Sequence, residues 1–379
     1  MIMPSKEFKD ACSKILLALD NSAESAFNGI VELKSIDSNL YLNVTNGEYF
    51  VKICLGQITE NFHATINADL FLKLIAQVTS ENIEFTCTDS QLIVNANGKY
   101  KFPIIFHETE ILNLTEIDIQ NPTVNFKVSS EILHSILLYN SKELSKIPKN
   151  NRIAVNELQK MYYIDQEGAI TFYNGAVVNK FQLAQPVKLL LKERLVKLFK
   201  LFQNTEVDFT LAYDPIASNM VQPKVKFATP EIELVAKLNL DDSQLNKMPT
   251  KAIRERAFND YPYAISISRT NLLSAVKRLM LFANTKLTLS GKSYGYIYFY
   301  KDHCSISDYS KDNIEDVPYA NELSTVSDEF QYEAIIDFVD FKLALEGTTD
   351  LYVNVSFGDH KAMVMAKDNI YTVIPEIII

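Results

Sequence analysis

The sequence predicts an α+β chain of three repeated domains, each combining helices with antiparallel sheet. Three observations lead there. Most of the chain alternates apolar and polar residues in short runs. One succession of helices and strands recurs three times, and a third of the 379 residues is about 126, an ordinary domain size. Tyr (19) and Phe (22) are plentiful and Gly (10) is scarce, which suits pleated sheet over glycine-rich loops.

Taken in order, residues 29–36, 39–45 and 48–55 read as strands separated by Asp, Ser, Asn and Gly turns. Residues 68–78 then read as a helix, with Leu70, Phe71, Leu74, Ile75 and Val78 at helical spacing and Asn67 as cap. A meander follows at 82–88, 91–96 and 99–106. The same helix-then-meander unit returns with a helix at 192–202 and strands at 206–213, 224–228 and 232–238. It returns again with a helix at 337–347 and strands at 350–357, 361–366 and 370–375. Each unit also opens on a helix, at 6–19, 129–144 and 269–283, the last two preceded by short strands. Asn121-Pro122 and the polar stretch 241–260 mark the junctions, giving domains 1–121, 122–255 and 256–379.

Composition narrows the function classes. Hydrophobic residues at 47% and charged residues at 22% exclude a disordered or fibrous chain. A net charge of −10 argues against a uniformly cationic nucleic-acid coat and leaves room for local basic surface. No stretch resembles a signal peptide or a membrane span, and no membrane partner is expected. Cys12, Cys54, Cys87 and Cys304 form no CxxC pair, so they are expected as reduced residues of a cytoplasmic protein. His63, His107, His134, His303 and His360 show no metal-ligand spacing. Phosphate-cradling glycine motifs and the nucleophile-elbow motif are absent, so the expectation is a protein without cofactor, metal or catalytic residues.

Three surfaces carry a signal. On the helix at 192–202, Arg194, Lys197 and Lys200 lie opposite Leu195, Leu198 and Phe202. On the helix at 269–283, Lys277 and Arg278 lie opposite Leu272, Val276 and Leu279. Basic faces on related helices of an acidic chain suggest a phosphate-facing surface; the plainer reading is a solvated face. Leu281 falls on the polar side of its helix beside Phe282. The strand at 99–106 contains Pro103, which belongs on an edge, and Phe102, Ile104, Ile105 and Phe106 make that edge apolar. An apolar edge near one end and an orphan apolar helix end near the other suggest head-to-tail association.

These residues resemble a known family. The tail Tyr371-Thr-Val-Ile-Pro-Glu is similar to the aromatic-Val-Val-Met-Pro end of the bacterial DNA polymerase III β subunits, the sliding clamps. Leu281-Phe-Ala-Asn-Thr-Lys resembles their Ile-Leu-Ser-Asn-Glu-Lys segment, and Tyr173-Asn-Gly-Ala-Val-Val stands where clamps carry Thr-Asp-Gly-His-Arg-Leu. The resemblance implies a homodimeric ring with helices lining the hole and sheets outside, which tethers polymerase to duplex DNA. Its implied partners are double-stranded DNA bound without regard to sequence, a replicative polymerase, a clamp loader and a second copy of the chain. Lys14, Lys73, Arg194, Lys197, Lys200, Lys277 and Arg278 would face DNA. Gly175, Val177, Val178, Met248, Thr372, Val373, Ile374 and Pro375 would form the partner-peptide pocket, and Phe102, Ile104, Phe106, Leu281 and Phe282 the dimer interface. Ala176-Val177 replaces the family's His-Arg and Glu376 its second tail Met, changes that touch peptide choice and suit a phage-encoded clamp. The competing readings are a β-rich structural protein of a phage particle and, ranked last, a sheet-rich enzyme.

Overall fold

The computed structural model describes residues 1–19, 27, 29–138, 161–173, 175–212, 222–238, 249–282, 293–348 and 350–378. One succession of elements is written three times along the chain. The first copy runs β1 (Ile2–Pro4), α1 (Ser5–Ala18), β2 (Ile30–Ile36), β3 (Asn39–Thr45), β4 (Tyr49–Gln57), β5 (His63–Asn67), α2 (Ala68–Gln77), β6 (Asn82–Cys87), β7 (Gln91–Asn95) and β8 (Lys99–Pro103). A small hairpin, β9 (Phe106–His107) and β10 (Glu110–Ile111), follows it. The second copy runs β11 (Val124–Ser129), α3 (Ser130–Leu138), β12 (Met161–Asp165), β13 (Gly168–Tyr173), β14 (Gly175–Lys180), β15 (Leu189–Lys192), α4 (Glu193–Lys197), β16 (Glu206–Ala212), β17 (Lys224–Ala228) and β18 (Ile232–Lys237). After α5 (Thr250–Ala257), the third runs β19 (Tyr263–Ser268), α6 (Arg269–Leu279), β20 (Tyr294–Phe299), β21 (His303–Asp308), β22 (Ile314–Pro318), β23 (Tyr332–Asp337), α7 (Phe338–Gly347), β24 (Tyr352–Phe357), β25 (Ala362–Lys367) and β26 (Ile370–Pro375). The architecture is α+β with antiparallel ladders, as the sequence predicts.

Pairing repeats with the order. The strand opening each copy pairs with the one after its second helix: β1 with β6, β11 with β16, β19 with β24. The first of the four middle strands pairs with the second and the fourth: β2 with β3 and β5, β12 with β13 and β15, β20 with β21 and β23.

The chain divides into two compact units, Met1–His134 with Lys197–Leu240, and Ser135–Val196 with Asp241–Ile379. In the first, an eight-stranded sheet is ordered β11-β16-β17-β18-β4-β3-β2-β5, and its seam between copies is β4–β18, with Val51 opposite Leu234. A four-stranded sheet, β1-β6-β7-β8, accompanies it. In the second unit the eight strands are ordered β15-β12-β13-β14-β26-β25-β24-β19, with the seam at β14–β26, beside a four-stranded sheet β22-β21-β20-β23.

Local chemistry explains these elements. Four strands run straight into helices with a last residue of capping type. Asn67, Ser129, Ser268 and Asp337 accept backbone N–H bonds from Asp69, Glu131, Asn271 and Val339. Alternation buries Ile83 and Phe85 of β6 and leaves Asn82 and Glu84 in solvent. Within the first unit, Phe8 of α1 meets Phe71 of α2 at 5.9 Å and Phe85 at 4.9 Å, both edge-on. Within the second, Phe299 stacks on Phe357 at 3.9 Å and binds its two sheets together. Gly295 is required there, because a Cβ would sit 2.0 Å from the Phe338 ring.

Several elements differ from expectation. The predicted helix at 192–202 is found over 193–201, as α4 and a 3₁₀ turn at Leu198–Leu201, and residues 189–192 ahead of it form strand β15, which the sequence reading did not place. The leucines of β15 are buried on both faces of a sheet, so no alternation marks them. The strand at 99–106 breaks after Pro103, where Ile104 turns inward and its N–H donates to Ser90 O. The polar junction at 241–260 contains α5, ended by basic residues Arg254 and Arg256 in its last turn. Helix residues expected at 139–144 and 283 lie outside the described residues.

Candidate functional site

The two segments read as a peptide pocket meet as neighbouring strands in the second unit. β14 pairs with β26 so that Val177 faces Thr372 and Ala176 faces Val373, which brings Gly175 to the Ile374–Pro375 end. Ile374 points into the core with Leu272, Phe341 and Met363. Val177, Val178, Thr372, Val373 and Ile374 are all buried, and Pro375 is half-buried. Met248 lies outside the described residues. The tail therefore completes a sheet, and its apolar side chains already have neighbours.

Helix α5 packs on β14, β25 and β26. Arg254 holds it: Nη2 donates to Asp165 Oδ1 at 2.6 Å and to Gly168 O at 2.9 Å, at the β12–β13 turn. Burial raises the Asp165 carboxyl above its ordinary range, and the Arg254 guanidinium pulls it back. At the α5 end, Phe258 meets Tyr371 edge-on at 5.0 Å and lies under Lys180 Nζ at 5.0 Å. These residues border an open cavity of about 720 Å³, lined by Gln166, Glu167, Lys180, Phe181, Gln182, Phe258 and Asn369. It sits at the opposite end of the β14–β26 pair from Gly175 and Pro375. Sequence reasoning missed it because Phe258 lies in a polar stretch with no periodic pattern.

Two strand edges stand out. Among the described residues, β8 and β22 end their four-stranded sheets with an open side. On β8, Lys99, Tyr100, Lys101 and Pro103 are exposed, while Phe102 packs edge-on against Phe71 at 5.4 Å. Ile104 is buried, Phe102 and Ile105 are half-buried and Phe106 is 41% exposed, so of the four apolar residues read as the edge only Phe106 is exposed. In the second unit, Leu281 is 81% and Phe282 57% exposed on the turn that ends α6. Ile314 of β22 is 57% exposed. The sequence hid it, as a lone apolar residue in Lys311-Asp-Asn-Ile-Glu-Asp. Arg278 of α6 chelates Glu315 of β22 through hydrogen bonds of 2.5–3.1 Å.

The basic residues are surface residues in varied company. Lys197 and Lys200 are exposed, whereas Lys14 and Arg194 are half-buried. Lys73 pairs with Asp69 at 2.7 Å and Lys277 with Glu346 at 2.9 Å. The first pair is exposed on both sides and contributes little, whereas Glu346 in the second is largely covered. Beside Lys14 and Lys73 the helices also expose Leu16, Leu17 and Leu70, a feature the wheel did not bring out.

No family model and no curated protein matches this sequence. Solved structures do. The DNA polymerase III β subunit of Thermotoga maritima is 12% identical, with a TM-score of 0.73, covering 100% of this chain and 99% of that one. The Helicobacter pylori β clamp in complex with 3,4-difluorobenzamide is 15% identical, with a TM-score of 0.70 and 100% of both chains covered. A Pseudomonas aeruginosa sliding clamp bound to griselimycin is 11% identical, with a TM-score of 0.75, covering 100% and 99%. The chain thus has the repeated-domain fold of the sliding clamps over its whole length. Within that class it is the DNA polymerase III β subunits that it resembles.

Proposed function

We propose that this chain is a DNA polymerase processivity factor, two copies of which join head to tail and close around duplex DNA. The domains are 1–121, 122–255 and 256–379. The observation that carries the reading is the rule by which copies join. The last of the three meandering strands in one copy, β4 or β14, pairs with the closing strand of the next, β18 or β26. Applied once more, the rule leaves β22 without a closing strand and β8 as the closing strand not yet used. A second molecule supplies each with its partner, a heterologous contact that closes. Charge agrees, since β8 exposes Lys99 and Lys101 while β22 carries Glu315 and Asp316. Leu281, Phe282, Phe106 and Ile314 are covered at that junction.

The protein acts as a tether and not as a catalyst. Lys14, Lys73, Arg194, Lys197, Lys200, Lys277 and Arg278 contact phosphates without reading bases. A polymerase or loader inserts a short peptide beside Gly175, Val177, Val178, Thr372, Val373, Ile374 and Pro375, with Met248 near the junction. Because the apolar members are buried, the peptide's anchors bear on the rim at Gly175 and Pro375. The test is topological. Free in solution, the protein should elute at twice its 43.1 kDa chain mass, and loaded onto nicked circular DNA it should stay bound in high salt. Linearising the DNA should release it. Retention on the linear form, or no retention on the circle, would remove the clamp reading.

A further inference from the structure

We propose that Glu376 is a proton-held latch, which in its neutral form donates to Tyr332 Oη and fastens the C-terminal residues across both sheets of the second unit. Losing that proton lets them go. The geometry starts at the phenol. Tyr332 Oη lies 2.7 Å from Gly358 O and 2.5 Å from Glu376 Oε1. A phenol has one hydrogen, and a backbone carbonyl can only accept. An ionised Glu376 would set two acceptors in competition for that hydrogen. A neutral carboxyl resolves the conflict, since Glu376 donates to Tyr332 and Tyr332 donates to Gly358.

The post that receives the latch is fixed. The Tyr332 ring lies 5.3 Å from Phe357 and 6.3 Å from Phe299. Gly358 takes a φ of +148°, and a Cβ there would strike Pro262 at 2.5 Å, so the acceptor carbonyl cannot be moved by an ordinary substitution. The tail itself is tied by two backbone bonds. Pro375 has no N–H to give. Glu376 N donates to Lys361 O at 3.0 Å, ahead of β25, and Ile377 N donates to Ile335 O at 2.8 Å on β23. Two successive residues, Glu376 and Ile377, therefore stitch the eight-stranded sheet to the four-stranded one.

The charged and titratable neighbours come from every element packed there. Tyr332 belongs to β23; Asp359, His360 and Lys361 lie on the β24–β25 turn; Tyr261 precedes β19 and donates to Arg256 O at 2.9 Å. His360 meets the Tyr261 ring edge-on at 5.3 Å. Burial raises Glu376 above its ordinary value; donation from Tyr332 to an ionised Glu376, the arrangement the latch replaces, and the Lys361 charge work in the other direction. Burial raises Tyr332 as well, and Glu376 and Asp359 add to that, so the phenol keeps its hydrogen.

The sign follows. Below the ordinary carboxyl value of 4.5 both latched and open tails are protonated and the latch is at full strength. As pH rises through the higher value of the latched state, opening is favoured. The experiment is amide hydrogen exchange at Ile377 in the full-length protein between about pH 5 and pH 9, corrected for intrinsic exchange. Protection in the wild type should be greatest at the acid end and should be lost as pH rises through the latched value. Glu376→Gln should hold the low-pH protection throughout, because its amide donates to Tyr332 at every pH. Tyr332→Phe should lose protection even at low pH while amides of β25 and β26 stay protected. A wild type with flat protection, or a Gln variant as labile as the high-pH wild type, would overturn the latch.

Discussion

Arg254 shows what one side chain does for a helix with few neighbours of its own. It is 9% exposed, and through it α5 reaches the β12–β13 turn. Arg254→Met would keep the packing of the stem, take the cation from Asp165, which keeps only backbone donors such as Glu167 N, and remove the side-chain donor to the Gly168 carbonyl. The expected loss is about 1.5–3 kcal/mol, read from the urea midpoint at neutral pH. Acid should shrink that loss. Burial already raises Asp165 above 3.8, and without Arg254 the carboxyl rises further. The missing cation therefore matters less as pH falls through the folded-state value, because a neutral Asp165 needs no counter-charge. A penalty independent of pH would mean that Arg254 acts by packing alone. None of this was legible in the sequence, where Arg254 looks like any arginine of a polar linker.

At the scale of elements, the strands were the legible part. Alternation located most of β2 to β8 and, in the third copy, β19 and β24 to β26, and it is clearest where one face is covered and the other is not, as in β6 and β7. Failures came where both faces are covered. Leu189, Leu190 and Leu191 are all buried in β15, so no alternation marked that strand. Gly295 was equally silent, because its role depends on Phe338 arriving from α7. Gly295→Ala should force the ring away and destabilise the protein by about 1–3 kcal/mol, measured by thermal melting. If Gly295→Ala melts with the wild type, the ring has room that the packing denies.

At the scale of the molecule, recurrence was the strongest signal, because three copies repeat their errors as well as their rules. The candidate surfaces were legible only in part. Phe102 and Ile104 are apolar in the right place but serve their own core, whereas Phe106, Leu281 and Phe282 are exposed as expected. Replacing Leu281 and Phe282 with Asp should give folded monomers by light scattering, since charge in an apolar contact is relieved by dissociation. A double variant that still runs as a dimer would move the interface elsewhere. Converting Arg194, Lys197 and Lys200 to Glu should lower the slope of log affinity against log salt, on any DNA sequence. The drop should be about one unit for each phosphate no longer neutralised. An unchanged slope would place those residues on an outward face.

The seams between copies also set a timetable for synthesis. β4 leaves the ribosome with one side open, and β18, its partner, is still far behind: Ile53 must wait for Ile232. β14 then waits for β26, where Val177 pairs with Thr372 almost at the end of the chain. Long-range pairings of this kind fold slowly and leave strand edges uncovered in the interval. The nascent protein thus matures in two late closures, not three successive ones. A chain stopped after its first copy would display an unpaired β4, and one stopped after its second an unpaired β14. Either fragment should aggregate more readily than the finished chain, in which both strands are covered.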